Sequence, residues 1–244
     1  MTDHVLTLNQ TERARTKVNL RPKDAATMMI LDRSGTRPKV LMGKRHAGHK
    51  FMPGKYVFPG GRVDDGDRRM VATGAVAQIC EDRLGKRCLR PGAGKARALA
   101  LAAIRETFEE TGLLFGSAEF GAPEAPPAGS WHDFAAQGVF PDLSAVTFVA
   151  RAITPPRRPK RFDTRFFAID ASAVARRIEG VVGPDSELVD LVWVDFDEAK
   201  ALDLPSITKV VIEEVEARIA AGFAPWLPVP FYWEKRGSFV REEL

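Results

Sequence analysis

Apolar and polar positions alternate in a way that divides the chain into short strands, a few helices and Gly/Pro-rich connectors. Residues 1–22 are polar with little periodicity and read as an arm, with residues 5–8 as the one strand candidate. The run AATMMIL at residues 25–31 has the unbroken apolar character of a strand buried on both faces. A turn, DRSGTRP, and a second strand at residues 39–42 follow. A third short strand is expected at residues 55–58, before the chain turns at Pro59, Gly60 and Gly61. Helical periodicity covers residues 69–84 and, more strongly, 96–111, where Gly112 stands at the position of a left-handed C-terminal cap. Beyond a Pro/Gly-rich connector come a short helix at residues 131–138 and strands at 146–153, 165–169 and 188–194. A helix at 206–221 precedes an aromatic-rich tail at 223–244. The irregular alternation, with no internal repeat, places the chain in the mixed α/β class, as one domain at residues 23–222 carrying additions.

Composition narrows the function classes. The 244 residues are 45% hydrophobic and 28% charged, which excludes wholesale disorder and fibrous repeats. No apolar run approaches the roughly 18 residues needed to span a bilayer, so no membrane partner is expected. A net charge of +4 suits a small anion, and with no RNP-like aromatic motif it is too weak to point to nucleic acid. Cys80 and Cys88 are too few for a disulfide framework, and His46, His49 and His132 have no ligand spacing. Together with the absence of a signal-like N-terminal segment, this reads as a cytoplasmic protein.

The chemistry concentrates in RETFEETGL, residues 105–113. At about 100° per residue, Leu101, Ile104 and Phe108 fall on one helix face and Glu106, Glu109 and Glu110 on a nearly opposite one. Like charges four apart cost a helix a few tenths of a kcal/mol, so Glu106 and Glu110 are a poor choice for stability alone. A divalent cation reverses that sign, and carboxylate oxygens suit Mg²⁺ or Mn²⁺. A solvated acidic face is the ordinary alternative. Against it, the five fixed letters of R-E-x-x-E-E-x-G would arise by chance in a chain of this size with a probability on the order of 10⁻⁴.

These residues resemble the signature of the Nudix hydrolases, which runs from a glycine through an acid to R-E-x-x-E-E-x-G. Gly61 matches the opening glycine, Asp67 stands where Glu is usual, and Arg105, Glu106, Glu109, Glu110, Gly112 and Leu113 match the second half. Thr107 replaces an apolar residue, and 37 residues, 68–104, occupy a spacer that is usually seven long. The resemblance implies a Nudix-type α/β/α sandwich with a mixed sheet and a helical insertion, at residues 68–95, inside the signature. The long insertion, with VFPGGRVD upstream and RRPKRFDTRFF downstream, is similar to the branch that holds peroxisomal coenzyme A diphosphatases and their bacterial relatives.

From that resemblance follow Glu106, Glu109 and Glu110 with the Gly61 turn as ligands of Mg²⁺ or Mn²⁺. Glu109 is the expected catalytic carboxylate and Arg105 its positioner, with Glu187 a further acid recruited from a later loop. Arg45, Lys50, Lys55, Arg161 and Arg165 are the expected substrate-binding cations, since Arg holds phosphate in a fork and Lys as a point charge. The implied substrate is a nucleoside diphosphate linked to another group, in the first place coenzyme A or an acyl-CoA. The spacing of Lys50, Gly54 and Phe58-Pro59-Gly60-Gly61 matches that branch's pattern apart from Lys for Arg. ADP-ribose, NADH, a dinucleotide or a nucleoside triphosphate are the alternatives, and a non-catalytic nucleotide sensor is the alternative of another class. A homodimer is left open.

Overall fold

A computed structural model describes residues 3–11, 16–48, 52–88 and 91–244. In chain order the elements are α1 (Asp3–Gln10), β1 (Lys23–Asp32), β2 (Lys39–Arg45), β3 (Tyr56–Val57), β4 (Gly60–Arg62), α2 (Asp65–Arg69), α3 (Gln78–Gly85) and α4 (Ala93–Thr111). There follow β5 (Leu113–Ser117), α5 (Ser130–Ala135), β6 (Phe140–Pro141), β7 (Thr147–Ile153), β8 (Phe162–Asp170) and β9 (Val174–Arg177). The chain finishes with β10 (Leu188–Asp195), α6 (Phe196–Ala201), α7 (Ser206–Ala220), β11 (Pro230–Lys235) and β12 (Ser238–Glu243).

The main sheet runs β10-β2-β1-β8-β7-β11-β12, with β3 on β2 and β4 on β1. It is mixed: β1 with β8 and β7 with β11 are parallel, the other pairs antiparallel. Strand alternation explains why β1 reads as a continuous apolar run. Ala26, Met28 and Ile30 enter one core with α4, while Met29 and Leu31 enter a second core with α7. Phe167 and Ile169 against Phe166 and Ala168 divide β8 in the same way. Two helical layers on one sheet make the α/β/α sandwich. A smaller antiparallel sheet, β6-β5-β9, flanks it.

Three sequence expectations are corrected. Residues 3–10 form a helix rather than carrying a strand, because Val5 and Leu8, three apart, are the buried pair and Leu6 between them is exposed. The single helix expected at 69–84 is two, α2 and α3, separated by a segment in which Thr73 bridges to Asp142. The insertion at 68–95 packs into the body of the fold. Cys80 and Leu84 lie in the α4-side core, and Arg83 donates to the carbonyls of Pro225, Trp226 and Leu227 at 2.7–2.8 Å. Last, the aromatic segment expected as a tail supplies β11 and β12 to the main sheet. There Phe231, Tyr232 and Phe239 are buried, each burial being worth roughly 1.5–3 kcal/mol. Among the described residues, no helix is long and apolar enough to cross a membrane.

Candidate functional site

The site forms where α4 passes under the β3–β4 turn. Register sets the approach: β4 pairs with β1, placing Gly61 opposite Ala26 and Gly60 opposite Thr27, directly above the last turns of α4. The helix stops at Gly112, whose φ of 73° is the left-handed cap read from the sequence, and its N–H donates to Phe108 O at 2.9 Å. Thr107, the departure from the signature, is fully buried at no unsatisfied cost because its hydroxyl donates to Ala103 O at 2.7 Å.

Arg105 organises the carboxylates. Its Nε donates to Asp67 Oδ1 at 2.8 Å and its Nη2 to Asp67 Oδ2 at 3.1 Å, a forked pair. Nη1 donates to Glu109 Oε1 and Nη2 to the Arg62 carbonyl, both at 2.8 Å, and Glu106 Oε1 lies 2.9 Å from Nη2. Burial works against the charge of Arg105, but the Asp67 hydrogen bonds and the charges of Glu106 and Asp67 outweigh it and raise its pKa above the ordinary guanidinium range. Asp67 is itself inaccessible to solvent. It accepts from Trp131 Nε1 at 2.9 Å and from the Asp64 N–H at 2.7 Å, the latter closing the capping box of α2.

The acidic face of α4 is therefore no solvated stripe. Glu110 is 6% exposed, and its Oε2 accepts from the Gly60 N–H at 3.2 Å. Glu106 presses on the turn so closely that a Cβ at Gly61 would fall 2.4 Å from its carboxyl carbon. Burial, only partly relieved by Arg105, pushes the Glu106 carboxyl up to about 7. Burial and the neighbouring charges of Glu187 and Glu106 push Glu110 well above the ordinary range. Two acids so placed ionise together only beside a counter-charge. Glu109 is the most exposed of the three and faces Arg105.

Glu106, Glu110, Gly60 and Gly61 floor a cavity of about 370 Å³, and Arg45 and Glu187 stand on its wall 3.0 Å apart. Arg45 ends β2 and Glu187 precedes β10, so the pairing of those strands brings the two together, with the His46 N–H donating to Glu187 O at 3.0 Å. The structure thus gathers Glu106, Glu109, Glu110, Arg105, Gly61, Arg45 and Glu187. It does not gather all the expected cations. Arg165 is wholly buried and spent on Asp24 and Asp163, because β8 is an interior strand and its cation must be paired inside. Arg161 holds the segment before β1 through Asn19 and the Leu20 carbonyl. Lys55 pairs with Asp203 at 2.5 Å on the wall of a neighbouring cavity, and Lys50 lies outside the described residues. Sequence reasoning missed Lys160, which lines this cavity, and the anchoring pair Asp67 and Trp131. Asp67 was visible as a signature position, whereas nothing local marks Trp131, 64 residues away.

Against known structures, the chain resembles a NUDIX hydrolase from Alicyclobacillus acidocaldarius, with 26% identity and a TM-score of 0.60 over 83% of this chain and 96% of that one. It also resembles the NUDIX domain of Shewanella oneidensis NrtR, crystallised with ADP ribose, with 14% identity and a TM-score of 0.45 over 90% and 99% of the two chains. No protein-family model matches the chain, and no curated protein matches it. The first likeness shows the NUDIX hydrolase fold and supports an enzyme acting on pyrophosphate bonds.

Proposed function

We propose that this protein is a Mg²⁺- or Mn²⁺-dependent pyrophosphohydrolase that cleaves a nucleoside diphosphate linked to another group. The observation carrying the reading is a pair of acids, buried Glu110 and half-buried Glu106, held against the Gly60-Gly61 turn at the floor of a cavity with cationic walls.

The donors fit a hard divalent cation. They are all oxygens, and the two neighbouring carboxylates repel each other unless a positive charge joins them. Among the described residues, no three His, Cys, Asp or Glu side chains form a ready-made cage. Two protein carboxylates completed by water and phosphate oxygens is the habit of magnesium rather than calcium. Glu106 and Glu110, with Gly61 and Glu109 beside them, would hold the ion. Bound there, it supplies neutralisation of the phosphoryl oxygens and a lowered pKa for water.

The remaining roles belong to the chain's own side chains. Arg45 and Lys160 face the substrate's phosphates from the wall. Glu109, aimed by the Arg105 guanidinium, orients and deprotonates the attacking water, and Arg105 is aimed in turn by Asp67. Glu187 supplies a second acid across the cavity from Glu110.

At the finer level the substrate is coenzyme A or an acyl-CoA, cleaved to 3',5'-ADP and a phosphopantetheine. The Lys50, Gly54 and Phe58-Pro59-Gly60-Gly61 spacing supports this choice. The test is kcat/KM with coenzyme A, ADP-ribose, NADH, a dinucleotide and a nucleoside triphosphate, each with Mg²⁺, Mn²⁺ or EDTA. Turnover is expected with either ion and none with EDTA, coenzyme A being preferred. A tenfold preference for ADP-ribose or NADH rejects the coenzyme A assignment while leaving the chemistry. Glu109→Gln should lose about 10²–10⁴ in kcat with an unchanged circular dichroism spectrum, and near-normal turnover rejects its role.

A further inference from the structure

A second cavity, of about 470 Å³, adjoins the first and is the larger of the two. The two share Met52, Lys160, Thr164, Phe166, Pro205 and Ile207, so they are two chambers of one cleft with Lys160 at the joint. Their chemistry differs sharply. The first holds Glu106, Glu110 and Glu187, whereas no acidic side chain among the described residues lines the second. Its walls are largely apolar: Leu8 from α1, Ile153 from β7, Leu204 from the loop before α7, Phe239 from β12, and a run of prolines.

Two of those walls come from outside the segment that resembles the signature-bearing domain. Leu8 sits on the arm, at the end of the expected strand 5–8 that forms a helix instead, and Phe239 on the strand expected to be a tail. Both are anchored: α1 packs on β12, and the Asn9 side chain accepts from the Phe239 N–H at 2.7 Å. Both chain ends therefore close a chamber that opens onto the carboxylate site.

From this continuity we propose that the second chamber binds an extended aliphatic group attached to the substrate's pyrophosphate, with Lys160 receiving the phosphate at the joint, so that α1, β12 and the loop before α7 set specificity. The inference rests on the pyrophosphohydrolase reading. A group leaving the phosphates toward the shared wall meets methyl and methylene surface. Among the described residues the lining itself offers no carboxylate; Lys55 on it is paired with Asp203, and Arg158 adds a further cation. Burying each added methylene is worth a factor of about four in affinity.

The chamber is tested apart from catalysis by calorimetry with butyl, hexyl and octyl phosphate, in EDTA and below their micellar concentrations. Affinity should rise by tenfold or more for each two-carbon step. Ser206→Trp, which projects into this chamber alone from its rim, should flatten the series while leaving hydrolysis of ADP-ribose, or of whichever short-armed substrate turns over, within twofold. Leu204→Trp provides the same obstruction from a neighbouring position if Ser206→Trp does not give a native near-ultraviolet spectrum. A flat series in the unmodified protein overturns the inference, as does a steep series that survives the obstruction. Failure of every nucleoside diphosphate derivative to turn over, with the alkyl series still steep, instead rejects the hydrolase reading and keeps the chamber.

Discussion

The two glycines of the turn show how one residue type serves two ends. A Cβ at Gly60 would meet backbone, 2.5 Å from Ala26 O and 2.7 Å from Thr27 Cα, so the strand pairing itself would have to move. A Cβ at Gly61 would first meet the movable end of the Glu106 side chain. Gly60→Ala should therefore lower stability, by about 1–3 kcal/mol for overpacking in a close-packed site. Gly61→Ala should unfold at a near-normal denaturant midpoint yet bind Mn²⁺ at least tenfold more weakly in calorimetry. Equal stability losses in the two variants would show that Gly61 serves the turn and not the carboxylate. The same reasoning explains which substrate cations were misread from sequence. Arg165 and Arg161 carry the right chemistry, but a guanidinium on an interior strand is committed to Asp24 and Asp163, and one at a loop base is committed to backbone carbonyls.

Among elements, α2, α4 and α5 are joined through one buried acid. Asp67 of α2 binds Arg105 of α4 and Trp131 of α5, so the helix bearing the catalytic acids is keyed to both neighbouring helices by a single carboxylate. Its removal leaves a guanidinium of 5% exposure without its forked partner and an indole N–H with no acceptor. Asp67→Ala should cost about 3–5 kcal/mol in chemical denaturation, as breaking a buried pair does. It should also lower kcat more than it raises KM, because Glu109 loses its aim. A loss below 1 kcal/mol would show that the pair is not a keystone of this packing. The elements themselves were largely visible beforehand. The 3.6-residue period and Gly112 gave α4, and the apolar runs gave β1, β7, β8 and β10. The strands β5, β6 and β9 and the helix α6 escaped notice because each is short, with no period long enough to register.

In the molecule as a whole, the two chain ends are fastened to the body by one polar cluster. Glu214 of α7 accepts from the Tyr232 hydroxyl of β11 and from Arg241 Nε of β12 at 2.7 Å, while His4 of α1 approaches both Glu213 and Glu214, at 3.0 and 3.4 Å. Burial raises the Glu214 pKa, but the hydrogen bonds from Arg241 and Tyr232 and the charges of Arg241 and His4 prevail and hold it below the usual glutamate value. A carboxyl with a lowered native pKa contributes its full stability above the unfolded pKa and loses it as pH falls through the native one. Unfolding free energy should therefore decline from about pH 5 downward. Glu214→Gln should be less stable at pH 7 and show a shallower decline. An unchanged slope would assign the acid sensitivity elsewhere.

Sequence alone determined the class of fold, the acid-bearing helix with its cap, and the opposition between an apolar and a carboxylate face, because these depend on periodicity and on residue chemistry within one or two turns. Tertiary structure decided what such local signals cannot carry. It turned the polar arm and the aromatic end into walls of the cleft, buried Glu110 and half-buried Glu106, drew Glu187 beside Arg45 through strand pairing, and withdrew Arg161 and Arg165 from the site. Each outcome depends on contacts between residues far apart in the chain, and burial, which sets both pKa and access, exists only once those contacts have formed.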